Sequence, residues 1–108
     1  MSDTLEAIKD LVAEGDIRIS DHGYDELAAD DIAVKDILAG VGTAILVEDY
    51  PEFAKGPCVL VLEFDAAERP IHVVWGIPSG HSRPAVVVTA YRPDPVRWSD
   101  DFLERRSD

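Results

Sequence analysis

The chain has 108 residues, 46% hydrophobic and 30% charged, which is the size and balance of one folded domain and excludes general disorder. Its 22 acids against 10 bases leave a net charge of −12, with 14 acids and three bases (Lys9, Arg18, Lys35) in residues 1–54 and eight acids against seven bases in residues 55–108. Phosphate neutralisation by Lys and Arg supplies most non-specific nucleic-acid affinity, so this balance argues against general DNA or RNA binding and leaves room only for a small local basic site.

Apolar residues at Leu5, Ile8, Leu11 and Val12 have helical spacing and predict a first helix over residues 4–13, with Ser2 or Thr4 as cap and Gly15 as stop. Residues 1–16 are read as an N-terminal helix or arm, and residues 17–104 as a single α+β domain. Residues 17–20 alternate and form either a brief strand or an extended lead-in. A second helix is expected from Ser20 or Asp21 through Tyr24 and Leu27 to about Asp30, and a third over residues 34–38, ending at Gly40.

From residue 43 the apolar period changes to two. Strands are expected over residues 43–49, 57–64, 71–77 and 85–91, and Pro93 and Pro95 end the ladder. Trp98, Phe102 and Leu103 predict a short closing helix. Short loops between consecutive strands imply an antiparallel four-stranded meander with the N-terminal helices packed on it, because parallel crossovers need longer connections.

No apolar run approaches the ~20 residues of a membrane helix, and the acidic N-terminus is unlike a signal peptide, so a cytoplasmic protein without membrane contact is expected. Cys58 borders the run Val59-Leu60-Val61-Leu62 and reads as a buried small hydrophobe. There is no glycine-rich phosphate loop, no G-x-S-x-G elbow and no CxxC pair, and the three histidines and one cysteine lack metal-ligand spacing. No metal and no cofactor are expected.

Chemistry-bearing candidates remain. His22 lies in the first turn of the second helix, either as a polar helix residue or as a general base. His72 interrupts the apolar strand Ile71-His72-Val73-Val74-Trp75, so its ring either finds a hydrogen-bond partner or faces a cleft. By alternation Val87, Thr89 and Tyr91 share one face of the last strand, with Arg92 and Arg97 at its exit. Pairing of the last two strands places His72 beside Ala90 or Tyr91, according to a register that the sequence leaves open. A histidine, a tyrosine hydroxyl and an arginine at one sheet end would suit phosphodiester cleavage through proton transfer and charge stabilisation. Core packing under the tail is the other reading of Tyr91 and Trp98.

The series His22, Ile32, Asp36, then Val47-Glu48-Asp49-Tyr50-Pro51, Pro70-Ile71-His72-Val73-Val74 and Thr89-Ala90-Tyr91-Arg92-Pro93-Asp94-Pro95 with Trp98 resembles the bacterial domain-of-unknown-function family 4258 over roughly residues 17–99. That family is similar in layout to RelE/ParE-type toxins and the wider barnase-like ribonucleases. The resemblance implies a RelE-like, metal-independent ribonuclease acting on RNA. His22 or His72 would be acid and base, Tyr91 a positioning or proton-donating hydroxyl, Arg92 a phosphate clamp, and Thr89 and Arg97 substrate contacts. Family members tend to carry H-x-x-x-R-x-x-x-R, whereas Glu26 and Asp30 stand at the arginine positions here, replacing phosphate attraction with repulsion. The second expectation is therefore a non-catalytic module with an acidic surface that binds a protein partner, such as an antitoxin, or a second copy of itself.

Overall fold

The computed structural model describes residues 2–107. Helix α1 (Asp3–Ala13) starts where the Ser2 hydroxyl accepts the Leu5 N–H at 3.1 Å, and it turns Leu5, Ile8 and Leu11 into the core. Strand β1 (Ile17–Ile19) precedes α2 (Asp21–Ala29). The α2 cap residue, Ser20, accepts the Gly23 N–H at 2.9 Å and donates to the Val88 carbonyl at 2.8 Å, so one hydroxyl both starts the helix and ties it to the sheet. Helix α3 (Val34–Gly40) runs into a 3-10 turn (Val41–Thr43), and strands β2 (Ile45–Tyr50), β3 (Cys58–Phe64), β4 (Pro70–Gly76) and β5 (Ala85–Tyr91) follow. No helix among the described residues is long and apolar enough to cross a membrane.

The strand order is β1-β5-β4-β3-β2. Strands β2 to β5 form the antiparallel meander that their short loops imply. The expectation of four antiparallel strands is nevertheless corrected: β1 joins as a fifth strand, parallel to β5, with Ile17 opposite Ala85 and Ile19 opposite Val87. A three-residue segment carries little periodic signal, and its partner lies near the other end of the chain, so local pattern could not reveal the pairing.

The expected C-terminal helix is also corrected. The segment after Trp98 is a turn closed by a bridge between Trp98 and Arg105. Within it the Asp101 carboxylate accepts the Leu103 N–H at 3.1 Å and the Ser99 hydroxyl oxygen accepts the Glu104 N–H at 3.1 Å. Phe102 has φ +62°, outside the helical region. Short polar side chains here satisfy the backbone locally and outcompete a helix.

The core lies between the helices and one sheet face, where Val59, Val61, Ile71, Val73, Trp75, Val87 and Ala90 meet Leu5, Ile8, Leu11, Leu27 and Ile37. Each of the Val, Leu and Ile side chains among them contributes roughly 1.5–3 kcal/mol by leaving water. One ionisable group shares this layer. Glu63, 1% exposed, accepts the Trp75 indole N–H on Oε2 at 3.1 Å, while Oε1 has no partner. A Cβ on Gly40 would come within 2.8 Å of that Oε1, so the glycine that ends α3 makes the room it occupies. Burial pushes the Glu63 carboxyl up to about 8, leaving it protonated at neutral pH.

Candidate functional site

Strand alternation sends Cys58, Leu60 and Leu62 of β3, and His72, Val74 and Gly76 of β4, to the face away from the helices. A register shift in the β4–β5 pairing, with Trp75 opposite Val87 but Val74 opposite Thr89, leaves Val88 as an extra residue. This bulge resets the alternation, so that Val87 and Ala90 both enter the core and Tyr91 falls opposite His72. The expected sharing of one face by Val87, Thr89 and Tyr91 is thereby corrected. The open face has two halves, one sealed and one bare.

The C-terminal turn seals the first half. His72 is 0% exposed, with the Trp98 ring edge-on at 4.4 Å between centroids and Tyr91 at 5.3 Å. Its Nε2 lies 2.8 Å from the Phe102 carbonyl oxygen and its Nδ1 lies 3.2 Å from the Tyr91 hydroxyl. A carbonyl only accepts, so Nε2 carries the proton and Tyr91 donates to Nδ1. Both nitrogens are thus committed. Burial holds the imidazole below the usual histidine range and pushes the Tyr91 phenol up, so both stay neutral.

Beside this pair, Glu48 accepts Arg105 at 3.0 and 3.1 Å and the Tyr50 hydroxyl at 2.8 Å. The Arg105 hydrogen bond holds the Glu48 carboxyl below the usual carboxylate range. The Arg105 guanidinium also stacks 4.7 Å over the Trp98 ring, locking the turn in place. Glu48, Tyr50, Tyr91 and Arg105 line a small cleft of about 240 Å³. The sequence reasoning missed Glu48, Tyr50 and Arg105. A Glu and a Tyr two apart on a strand share a face, and that was the readable signal.

The second half is uncovered. A cleft of about 420 Å³ has Cys58, Val74, Gly76, Val86 and Val88 in its floor, Phe53 on one wall, and Arg18 and Lys55 at its rim. Phe53 and Val88 are 53% and 38% exposed. The wall is set by Gly56, whose φ is +121° and whose hypothetical Cβ would lie 2.0 Å from the Ile77 carbonyl oxygen. Only glycine permits this approach, and it lets the Lys55 carbonyl accept the Ser79 N–H at 3.1 Å. Burial pushes the Cys58 thiol up, which keeps it protonated and poorly nucleophilic.

The remaining candidates lie elsewhere. His22 is exposed on the helical layer, its Nε2 3.7 Å from Glu26. The Arg92 guanidinium is spent on structure: it pairs with Asp65 at 3.0 Å and donates to the carbonyls of Pro70 (3.3 Å) and Asp31 (3.5 Å). Its backbone N–H donates to Asp30 at 2.8 Å, so the acid at the end of α2 anchors the end of β5. Thr89 is half-buried on β5, and Arg97 is exposed on the exit segment, where its carbonyl accepts the Arg106 N–H at 2.8 Å. The structure therefore brings together His72 and Tyr91 but neither His22 nor Arg92 with them. Among the described residues, no group of three His, Cys, Asp or Glu side chains is placed to hold a metal ion.

A family model described as a domain of unknown function, DUF4258, matches residues 19–92, which run from the last residue of β1 through α2 to the end of β5 and include the β4–β5 partners His72 and Tyr91. No curated protein and no solved structure matches, so no comparison carries the remoter likeness to RelE/ParE-type toxins.

Proposed function

The chain belongs to the DUF4258 family, and from that premise and the geometry of the open sheet face we propose that it is a non-catalytic module that docks a partner protein on the bare half of its sheet. One observation carries the reading: the same face is sealed by the chain's own tail over His72 and left as an open apolar cleft lined by Val74, Gly76, Val86 and Val88. A satisfied, water-free imidazole has no free nitrogen for proton transfer to a substrate, so it works as a peg for the tail. An open cleft lined mainly by apolar side chains, in contrast, offers room for a partner segment.

Site-specific photo-crosslinking in the native host tests this. A benzoylphenylalanine in place of Val88 or Phe53 forms one discrete protein adduct, whereas the same group at the exposed helical position Tyr24 does not. Equal adducts from all three positions, or none, would overturn the docking reading.

A ribonuclease reading keeps one observation in its favour, the small cleft where Tyr91 meets Glu48 and Arg105. Cleavage of a mixed RNA at low salt, abolished by Glu48→Gln and by Tyr91→Phe, is the result that would restore it.

A further inference from the structure

The cleft's rim carries two cationic side chains, Arg18 and Lys55. Of the ten cationic side chains in the chain, six are in ion pairs: Lys9, Arg69, Arg83, Arg92, Arg105 and Arg106. In a chain with 22 acids, most cations have an acid within reach. Four do not: among the described residues the side chains of Arg18, Lys35, Lys55 and Arg97 form neither an ion pair nor a hydrogen bond, and of these Arg18 and Lys55 both border the apolar cleft. Arg18 enters from the edge strand β1 and Lys55 from the loop before β3, with the apolar floor of β5 and β4 between them.

We infer that the occupant of this cleft is an extended protein segment carrying apolar residues flanked by carboxylates, with Arg18 and Lys55 reading the two acidic flanks. The inference rests on the docking reading and adds the chemistry of the partner. Charge complementarity selects it. An apolar segment fills the floor, and each carboxylate meets a guanidinium or ammonium that has no competing acid, at a rim where partial burial strengthens the pair. A second copy of this chain is a poor occupant, since two chains of net charge −12 would meet with Arg18 and Lys55 facing their own counterparts. A basic segment would place like charges at the rim and would be rejected there.

The test uses two short extended peptides with the same alternating leucine and valine core, one flanked by aspartates and one by lysines. Binding is read by fluorescence anisotropy and by backbone amide shifts at Lys55, Gly76, Val86 and Val88. The aspartate-flanked peptide is expected to bind roughly tenfold tighter than the lysine-flanked one, with the difference shrinking as salt rises. The Arg18→Glu, Lys55→Glu double variant is expected to reverse the preference. Both positions are exposed, so the variant keeps its fold, which unchanged core amide shifts would verify. Equal binding of the two peptides, or a preference that survives the charge reversal, would overturn the charge selection while leaving docking intact. If neither peptide shifts the cleft amides the inference falls, and the Val88 crosslink decides the docking reading separately. Concentration-dependent dimerisation that broadens the same amides would assign the face to a second copy and overturn the inference.

Discussion

Glu63 should make the protein lose stability as the solution becomes alkaline. The carboxyl is pushed from the ordinary 4.5 up to about 8 by burial beneath α3. The unfolded chain releases this proton above pH 4.5, whereas the folded chain holds it until about pH 8. Stability is therefore greatest below the unfolded value and falls as pH rises through the folded one. From the two pKa values, the stability lost between pH 6.5 and pH 9 through this one group is roughly 2 kcal/mol, within a full effect of about 4–5 kcal/mol. That window lies above the range in which His72 contributes, because its folded pKa is depressed and its effect appears only on acidification. The assay is urea unfolding at pH 6.5, 7.5, 8.5 and 9 for the wild type and for Glu63→Gln. The amide keeps an oxygen to accept the Trp75 indole N–H and carries no titrating proton. The variant's curve should be flatter by about the stated 2 kcal/mol. Parallel curves for the two proteins would refute the claim that Glu63 is held protonated in the fold.

Three further outcomes follow from particular contacts. Gly56→Ala should destabilise the fold by about 2 kcal/mol or more, through a left-handed φ and a clash with the Ile77 carbonyl, and should shift the Phe53 and Lys55 amides; an unchanged thermal midpoint would contradict the wall assignment. Trp98→Ala should cost about 3 kcal/mol and loosen the tail, so that the His72 imidazole titrates closer to the ordinary histidine range by NMR; a titration identical to the wild type would show that the turn does not seal it. Tyr91→Phe should cost about 1–2 kcal/mol by leaving Nδ1 of His72 without a donor, measurable by thermal unfolding, and a neutral result would mean that the hydroxyl is not that donor.

The sequence disclosed most of the frame because the strands that matter most are strongly patterned. The run from Val59 to Leu62 and the segment around His72 lie mid-sheet, and burial on both faces writes itself as continuous apolarity. The helix starts were legible for a similarly local reason, since Ser2 and Ser20 cap by reaching their own first turns. What escaped was non-local or irregular. Nothing near Ile17 indicates that its partner is Ala85, and nothing near Val88 announces a bulge, although that bulge decides whether Ala90 or Tyr91 faces His72. Trp98, Phe102 and Leu103 suggested a helix by spacing, while Ser99 and Asp101 between them held the capping groups that prevent one. Arg92 looked like a phosphate clamp because its obligations, Asp65 and the carbonyls of Pro70 and Asp31, converge only in three dimensions. The bare cleft was the least legible feature, since a surface left uncovered leaves no mark in the pattern of residues that line it.

The parallel pairing of β1 with β5 bears on how the chain is made. Strand β1, whose neighbour is β5, cannot complete its hydrogen bonds until the chain through Tyr91 has left the ribosome. Loop closure across that separation is slow compared with the local hairpins of the meander, so β2 to β5 should assemble first and β1 dock late, carrying α1 and α2 onto the core with it. During that interval the emerged N-terminal half holds exposed apolar helix faces but also 14 of the chain's acids. Mutual repulsion between such segments on neighbouring nascent chains opposes their aggregation. The lopsided charge thereby acts as a temporary solubiliser for a fold whose first strand must wait for its last.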